Sequence, residues 1–224
     1  MRRVIEADAT FEDFDDMTPP LDESILRGIV AYGFEKPSLV QQNVLVPLLK
    51  GRDCLIRSNA GTGKTACYCI SILQRVDFSS RDLQALVMCP GREIAYQVEN
   101  AMKSIGEFRS GGPFSLCVVG GTSVKETIEK LKNDSVLVIV GNPGRAFDLH
   151  MRGLLYFDRL KILVLDEADY LMDRGFKDVV VDMIRKLPSP HPQIAMFSST
   201  TPAEVRELSS GFQKDPFRWN FSDV

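Results

Sequence analysis

The sequence predicts an α/β fold in which helices cover both faces of a parallel β-sheet. Two observations indicate this class. Short apolar runs rich in Val, Ile and Leu recur along the chain, and stretches of helical length and period separate most of them. Such unbroken apolar runs are typical of strands that are buried on both faces, because neither side of the strand meets water.

Six apolar runs are predicted strands: CLIRS, QALVMC, FSLCVV, VLVIV, KILVLD and QIAMFS. The clearest predicted helices are KTACYCISILQRV, GREIAYQVENAMKSIG and FKDVVVDMIRKL. Residues 1–20 are acidic and end in Pro19-Pro20, which indicates an N-terminal arm. The arm leads into a single domain over residues 21–224, a length that is sufficient to bury a core.

Composition restricts the function classes. Thirty acidic and 27 basic residues give a net charge of −3, which argues against binding nucleic acid by bulk positive charge. Binding by a few placed donors stays open. Five cysteines and two histidines supply no ligand set with zinc spacing, so we expect reduced thiols in a cytoplasmic or nuclear protein. The N-terminus lacks a signal-peptide core and no apolar run reaches membrane-spanning length, so we expect no membrane contact.

Five polar or glycine-rich motifs each follow a predicted strand. NAGTGKT follows CLIRS, PGRE follows ALVMC, GNPGR follows VLVIV, DEAD follows ILVL, and SST follows IAMF. In a parallel sheet the carboxyl ends of the strands share one edge, where ligands bind. Polar turns would explain each motif singly but not all five on one edge. We therefore predict the functional site at this edge.

The first motif has the residue order of a phosphate-binding loop. Backbone N–H groups and the following helix N-terminus would surround a phosphate, Lys64 would reach the β- and γ-phosphates, and the Thr65 hydroxyl would bind Mg²⁺. The alternative is a glycine-rich turn with a surface lysine. Ser58 stands where such loops usually carry Gly or Ala. The residues predicted to bind nucleotide here are Ser58, Asn59, Ala60, Gly61, Thr62, Gly63, Lys64, Thr65 and Ala66.

The acidic motif is the second half of the predicted catalytic site. Asp166 ends an apolar strand on the same edge, where a second contact to Mg²⁺, through water, is expected. Glu167 is the candidate to orient and deprotonate the attacking water. The alternative is that both acids complement the dipole at a helix N-terminus.

GFEKPSLVQQ has two interpretations. Ser38 and Gln41 have the spacing of a capping box, in which each side chain bonds the other residue's backbone. Alternatively, the Gln41 amide could read the edge of an adenine. The residues alone leave both open.

PGREIA, VVGGTS and GNPGR each place Gly N–H groups or an Arg at a helix start, as in sites for an extended polyanion. Each would equally serve as a plain helix start, with Asn142 as N-cap and Pro143 at the first helical position. The residues predicted to line such a polyanion site are Pro90, Gly91, Arg92, Gly120, Gly121, Asn142, Pro143, Gly144 and Arg145.

Together these motifs resemble the DEAD-box family of ATP-dependent RNA helicases. GFEKPSLVQQ, SNAGTGKT, PGREIA, GG, NPGR, DEAD and SST stand in family order, from about Phe11 to Phe217. Phrases such as VLDEADYLMDRGFKD are most similar to the branch of translation initiation factor 4A. The resemblance implies a RecA-like P-loop fold, ATP and Mg²⁺ as cofactors, and hydrolysis coupled to RNA binding and local duplex unwinding in translation initiation or a related process.

The resemblance also implies roles for further residues. Gln41 would read adenine with help from Lys36, and Phe14 would stack on the base, with Phe11 as the alternative. Asp169, Ser198 and Thr200 would couple hydrolysis to strand opening.

Implied partners are single-stranded RNA or a short RNA duplex, scaffold proteins of translation initiation, and a second RecA-like domain that supplies arginine fingers. That second domain is absent from this sequence, so we expect half of a two-domain enzyme, which binds nucleotide but hydrolyses it slowly.

Four positions depart from the family pattern. Gly91 and Asn142 replace Thr, Ser199 replaces Ala, and Ala60 replaces Ser or Thr. We expect normal ATP binding with weakened RNA affinity, which Thr at positions 91 and 142 would restore. Two other functions are consistent with a phosphate-binding loop: a nucleotide-switched RNA clamp or adapter with little ATPase activity, and a small-molecule kinase, for which the sequence lacks a lid.

Overall fold

The computed structural model describes residues 10–221, which form a sheet of seven parallel strands with helices on both faces. The strands are β1 Cys54–Arg57, β2 Ala85–Met88, β3 Ser115–Val118, β4 Val138–Gly141, β5 Ile162–Leu165, β6 Gln193–Ser198 and β7 Phe217–Asn220. Their order across the sheet is β3-β4-β2-β5-β6-β1-β7, and every neighbouring pair is parallel. The predicted fold class is confirmed.

The described helices are α1 Glu23–Ala31, α2 Leu39–Leu49, α3 Lys64–Arg75, α4 Arg92–Ile105, α5 Val124–Asn133, α6 Pro143–Met151, α7 Ala168–Asp173, α8 Lys177–Arg185 and α9 Ala203–Phe212. Helices α1 to α4 contribute to one apolar cluster, and α6 to α9 contribute to a second. Strand β2 shows why the predicted strands are apolar throughout. Val87 belongs to the first cluster while Leu86 and Met88 belong to the second, so successive side chains enter opposite cores.

Strand β7 is the one described strand that the apolar runs did not predict. It lies at the edge of the sheet and pairs with β1. Phe217 and Trp219 are buried, whereas Arg218 and Asn220 are exposed. Only one face of this strand packs on the core, so its sequence alternates and contains no continuous apolar run.

The second half of the predicted N-terminal arm packs against the domain. Phe11, Phe14 and Met17 are buried in the first apolar cluster, and a short 3₁₀ helix covers Phe14–Asp16. Residues 1–9 lie outside the described part of the chain. The division of the chain at residue 20 therefore stays a prediction. Across residues 10–221 we find no helix long and apolar enough to cross a membrane.

Candidate functional site

The loop between β1 and α3 curls around the ammonium group of Lys64, the first residue of α3. Lys64 Nζ donates to the carbonyl oxygens of Ser58 and Asn59, the latter at 2.7 Å. Gly63 has a φ of 94°, and a Cβ atom there would lie 2.7 Å from Gln41 Nε2. A side chain at position 63 would therefore be strained and would clash, so this turn requires glycine.

Ser58, which departs from the usual loop sequence, strengthens the loop. It is fully buried, and its hydroxyl oxygen lies 2.7 Å from Thr62 Oγ1. Thr62 Oγ1 donates to the Asn59 carbonyl at 2.9 Å, so Ser58 is the donor to Thr62. The added hydroxyl closes the loop upon itself and leaves its backbone turn intact. Ala60 and Gly61 are exposed, Thr65 is half-buried and Ala66 is buried.

The capping box at the start of α2 is confirmed, and it also holds the phosphate-binding loop. The Ser38 N–H donates to Gln41 Oε1 at 2.8 Å, and the Gln41 N–H donates to Ser38 Oγ at 3.4 Å. Ser38 Oγ donates in turn to the Thr62 carbonyl at 2.7 Å, and Gln41 Nε2 donates to the Gly63 carbonyl at 3.5 Å. The cap places the Gln41 amide, which is fully buried, against the loop, while its reading of adenine stays a prediction.

Phe14 lies beside the same motif. It lines a cavity of about 240 Å³ together with Phe34 and Glu35, which Phe11 does not line. Lys36 is exposed at the surface. Of the two aromatic residues considered for stacking on a base, the structure thus places Phe14 next to the Gln41 motif.

Asp166 directly follows β5 and is buried, with two hydrogen bonds to its carboxylate. The Tyr68 hydroxyl donates to Oδ2 at 2.7 Å, and the Glu167 N–H donates to Oδ1 at 3.1 Å. Burial raises the pKa of Asp166, while the two hydrogen bonds and the nearby Lys64 oppose that rise. For Lys64 burial lowers the pKa, and the neighbouring carboxylates of Asp166, Asp169 and Glu167 oppose the fall. The predicted lysine and acid therefore share one electrostatic site.

Glu167 is half-buried and has a φ of 47°, a left-handed conformation that non-glycine residues rarely adopt. Its pKa is raised by burial and then by the charges of Asp166 and Asp169, while Lys64 and Arg174 oppose the rise. A carboxylate whose pKa is raised towards neutrality is a stronger general base. Glu167 directly follows Asp166 at the edge of the sheet, and backbone strain of this kind is often found at functional sites.

The three predicted coupling residues are in direct contact. Asp169 Oδ2 accepts from the Thr200 N–H at 2.8 Å and from Thr200 Oγ1 at 2.7 Å, and the Asp169 N–H donates to Ser198 Oγ at 3.1 Å. The Ser58 N–H donates to the Ser198 carbonyl at 3.0 Å. A continuous set of hydrogen bonds thus connects the phosphate-binding loop, the end of β6 and α7.

We expect Thr200→Val to lower the free energy of unfolding by about 1 kcal/mol at pH 7. The variant removes the hydrogen bond from the Thr200 hydroxyl to the charged Asp169 carboxylate, and Thr200 is exposed to solvent. Burial alone raises the pKa of Asp169, but the hydrogen bonds from Thr200 and Ser198 outweigh it and the pKa lies below its ordinary value. The stabilisation is therefore present above roughly pH 4 and is lost as pH falls through the folded-state pKa. Urea unfolding of wild type and variant at pH 7 and pH 3.5 measures this. Equal differences at both pH values would contradict it.

The three predicted RNA motifs meet at an open cavity of about 540 Å³. Its lining residues are Pro90, Gly91, Arg92, Glu93, Gly120, Asn142, Gly144, Arg145, Arg174 and Phe176. Arg145 donates to the Thr122 carbonyl at 3.2 Å, which links GNPGR to GGT. At Gly121, with a φ of 80°, a Cβ atom would lie 2.6 Å from the Arg92 guanidinium, so PGRE and GGT also touch. Pro143 is buried at the first position of α6.

Two features of this cavity differ from the sequence interpretation. The Asn142 side chain does not cap α6; its Nδ2 donates to the Cys89 carbonyl at 2.9 Å and so joins the ends of β2 and β4. The predicted side-chain cap is wrong because the Asn142 amide bonds the end of a neighbouring strand and not the N–H groups at the start of α6. Arg174 and Phe176 also line the cavity. They follow α7 rather than a strand, so the motifs at the strand ends do not include them.

A family model described as DEAD/DEAH box helicase matches residues 38–208, three quarters of the chain. The chain belongs to the DEAD/DEAH box helicase family. The resemblance that the motifs predicted is therefore confirmed, and it extends from the Gln41 motif through SST to α9.

Curated relatives of this DEAD-box domain include plant initiation factors. Eukaryotic initiation factor 4A-9 of Nicotiana tabacum is 46% identical over 211 residues, which cover 94% of this chain and 50% of the relative. Eukaryotic initiation factor 4A-1 of Arabidopsis thaliana is 46% identical over 224 residues, which cover 97% of this chain and 53% of the relative. The chain thus spans about half the length of the curated relatives that it matches.

Solved structures of DEAD-box proteins have the same fold. A DEAD box protein from the hyperthermophile Methanococcus jannaschii superposes with a TM-score of 0.88 at 27% identity, over 96% of this chain and 57% of the other. A variant of S. cerevisiae Dbp5 bound to RNA and ADP BeF3 superposes with a TM-score of 0.82 at 32% identity, over 95% and 52%.

Proposed function

We propose that this chain is the ATP-binding half of an ATP-dependent RNA helicase, which couples ATP hydrolysis to RNA binding and local duplex unwinding. One observation carries the proposal: the DEAD segment lies between the loop predicted to bind phosphate and the cavity of the predicted RNA motifs. The charges of Asp166 and Glu167 act on Lys64, while Arg174, whose charge opposes the rise in the pKa of Glu167, lines that cavity. The Dbp5 structure that binds RNA and ADP BeF3 together supports the same pairing of ligands.

In this proposal the loop at residues 58–66 holds the phosphates of ATP. Lys64 would exchange the carbonyls of Ser58 and Asn59 for phosphate oxygens, which are charged and therefore stronger acceptors. Gln41 and Phe14 would hold the adenine from the side of the capping box, with the exposed Lys36 assisting. Glu167 would orient and deprotonate the attacking water.

The donor set at this edge of the sheet fits Mg²⁺. Thr65 offers a hydroxyl and Asp166 a carboxylate, and Mg²⁺ prefers oxygen ligands while keeping several waters and substrate phosphates. Asp166 is buried with its pKa raised by desolvation, so a nearby cation would stabilise its charged form. When bound, Mg²⁺ neutralises charge on the transferring phosphoryl group.

RNA would bind at the 540 Å³ cavity through its backbone. Arg92, Arg145 and Arg174 place three guanidinium groups at this cavity of a chain whose net charge is −3. Guanidinium groups bind phosphate in a bidentate manner, and the glycines at 120 and 144 allow close approach of backbone N–H groups. Local placement of charge thus replaces a basic surface, and contacts of this kind position RNA without reading its sequence.

We expect Gly91→Thr to tighten binding of single-stranded RNA about fivefold, the value of one added hydrogen bond to phosphate. A Cβ atom at Gly91 would meet its nearest neighbours at 3.7 and 3.9 Å, so the site accepts a larger residue. Asn142→Thr is the less clean test, because it also removes the bond to the Cys89 carbonyl. Fluorescence anisotropy with a labelled oligonucleotide measures the affinity; an unchanged value for Gly91→Thr would contradict a missing hydroxyl as the cause of weak RNA binding.

The wider assignments extend from the relatives, which are about twice as long. We propose that a second RecA-like domain completes the enzyme and supplies arginine fingers, that scaffold proteins of translation initiation are partners, and that the protein acts in the cytoplasm or nucleus. We propose translation initiation as the process, and its scaffold proteins as partners, because the curated relatives are initiation factors 4A. An RNA clamp with little ATPase activity is the second candidate, favoured by the departures at Gly91 and Asn142.

Turnover of ATP by this chain, with and without single-stranded RNA, tests the proposal. We expect slow turnover that RNA stimulates weakly, because an arginine finger is worth roughly three to five orders of magnitude in rate. Fast RNA-stimulated turnover would show that the chain is catalytically complete and would overturn its assignment as half of an enzyme. RNA binding with no turnover above the uncatalysed rate would favour the clamp.

A further inference from the structure

Tyr68 is a buried polar residue to which the proposed function gives no role. It lies on α3, one turn after Thr65, and its side chain is completely buried. The other four tyrosines of the chain, Tyr32, Tyr96, Tyr156 and Tyr170, are exposed. Its ring packs edge-on against Phe197 of β6, with a centroid distance of 5.2 Å. A buried phenol requires a hydrogen-bond partner, so the partners of Tyr68 define what it can do.

The Tyr68 hydroxyl connects α3, the helix that follows the phosphate-binding loop, to the acidic motif. It donates to Asp166 Oδ2 at 2.7 Å. An ionised carboxylate only accepts hydrogen bonds, so the phenol is the donor to Asp166.

The Asp166 carboxylate is held at both oxygens. Tyr68 bonds Oδ2, and the Glu167 N–H bonds Oδ1 at 3.1 Å. The charges of Lys64 and Asp169 also act on Asp166. Tyr68 is the neutral side chain that joins this carboxylate to α3.

We propose that Tyr68 is a positioning residue that orients the Asp166 carboxylate for Mg²⁺ bound with nucleotide. The inference rests on the proposed function, because it requires a Mg²⁺-nucleotide complex at this loop. Tyr68 would touch neither Mg²⁺ nor nucleotide and acts through Asp166. Groups that orient the ligands of a metal commonly contribute 10- to 100-fold to metal affinity.

Tyr68→Phe tests the proposal, because it removes the hydroxyl and keeps the ring that packs on Phe197. Binding of fluorescently labelled ADP is measured in EDTA and over a series of Mg²⁺ concentrations. We expect the affinity in EDTA to change less than about twofold, while the Mg²⁺ concentration for half-maximal tightening rises about 10-fold or more. Tyr170→Phe, which removes an exposed hydroxyl from α7, is the matched control and should behave as wild type.

The outcomes separate the inference from the proposed function. If the wild-type chain does not bind ADP, the proposed nucleotide site is wrong and the inference falls with it. If it binds ADP with no effect of Mg²⁺, the nucleotide site stands and the positioning role is overturned. If wild type depends on Mg²⁺ and Tyr68→Phe shows the same dependence, the nucleotide site stands and the positioning role is overturned. A purely structural role would instead weaken ADP binding equally with and without Mg²⁺.

Should Tyr68→Phe fail to fold, the wild-type chain still provides a test. Tyrosine labelled with ¹³C at Cζ gives one resonance per residue, and the buried Tyr68 is the one least broadened by a soluble paramagnetic agent. We expect this resonance to shift when Mg²⁺ is added to the ADP-bound chain. A resonance that does not move would overturn the proposal.

Discussion

Glu167→Gln is expected to slow ATP hydrolysis by this chain about 100- to 10,000-fold while leaving nucleotide affinity unchanged. A positioned general base contributes a factor of this size to a transition state, and glutamine cannot accept the proton. The raised pKa of Glu167, caused by burial and by the charges of Asp166 and Asp169, supports this role. Glutamine keeps the size of the side chain and places no branched atom at the strained φ of 47°.

Single-turnover hydrolysis of radiolabelled ATP, with the chain in excess, detects the slow rates that we expect of this chain. Glu129→Gln, which changes an exposed acid on α5, is the control and should hydrolyse ATP at the wild-type rate. Equal rates for Glu167→Gln and wild type would show that the acid does not take part in the chemistry. A loss of nucleotide binding in Glu167→Gln would show that its main effect is structural.

Lys64→Met should weaken binding of ATP and ADP roughly 100-fold, or about 3 kcal/mol, because a hydrogen bond to a charged group contributes about 1.5–3 kcal/mol. Methionine keeps an apolar stem in this largely buried position but cannot bond phosphate. The ammonium also holds the carbonyls of Ser58 and Asn59, so the empty loop should loosen as well. Equilibrium titration with fluorescent ADP measures the affinity.

Lys125→Met removes an exposed lysine from the first turn of α5 and serves as the control for charge alone. Its nucleotide affinity should match wild type. If Lys64→Met binds ADP as tightly as Lys125→Met, then the loop is a structural turn and the predicted phosphate site is wrong.

Much of the fold could be predicted because its signals are local. Each strand from β1 to β6 is buried on both faces and so appears as a continuous apolar run, and the five motifs at the strand ends follow such runs directly. The capping box of Ser38 and Gln41 was also predicted from spacing alone. In these cases neighbouring residues along the chain determine the structure.

Other features depend on contacts between distant parts of the chain. Tyr68 meets Asp166 across 98 residues, and Asn142 meets the Cys89 carbonyl across 53. Neither partner can be read from a local pattern, so the Asn142 cap was a wrong prediction and the Tyr68 contact was not predicted. Arg174 reaches the cavity of the predicted RNA motifs from a turn that follows a helix. Strand β7 was not predicted because only one of its faces is buried, and its alternating sequence resembles that of an ordinary polar segment.

Calorimetric titration of the chain with ADP and GDP in the presence of Mg²⁺ tests whether this edge of the sheet binds an adenine nucleotide. The proposed site reads adenine through Gln41, whose Nε2 donates to the Gly63 carbonyl within the phosphate-binding loop. We expect ADP to bind and GDP to bind at least ~10-fold more weakly, because mispaired polar groups at a base edge cost about 1–3 kcal/mol. Equal binding of both nucleotides, or binding of neither, would contradict an adenine nucleotide site at this edge of the sheet.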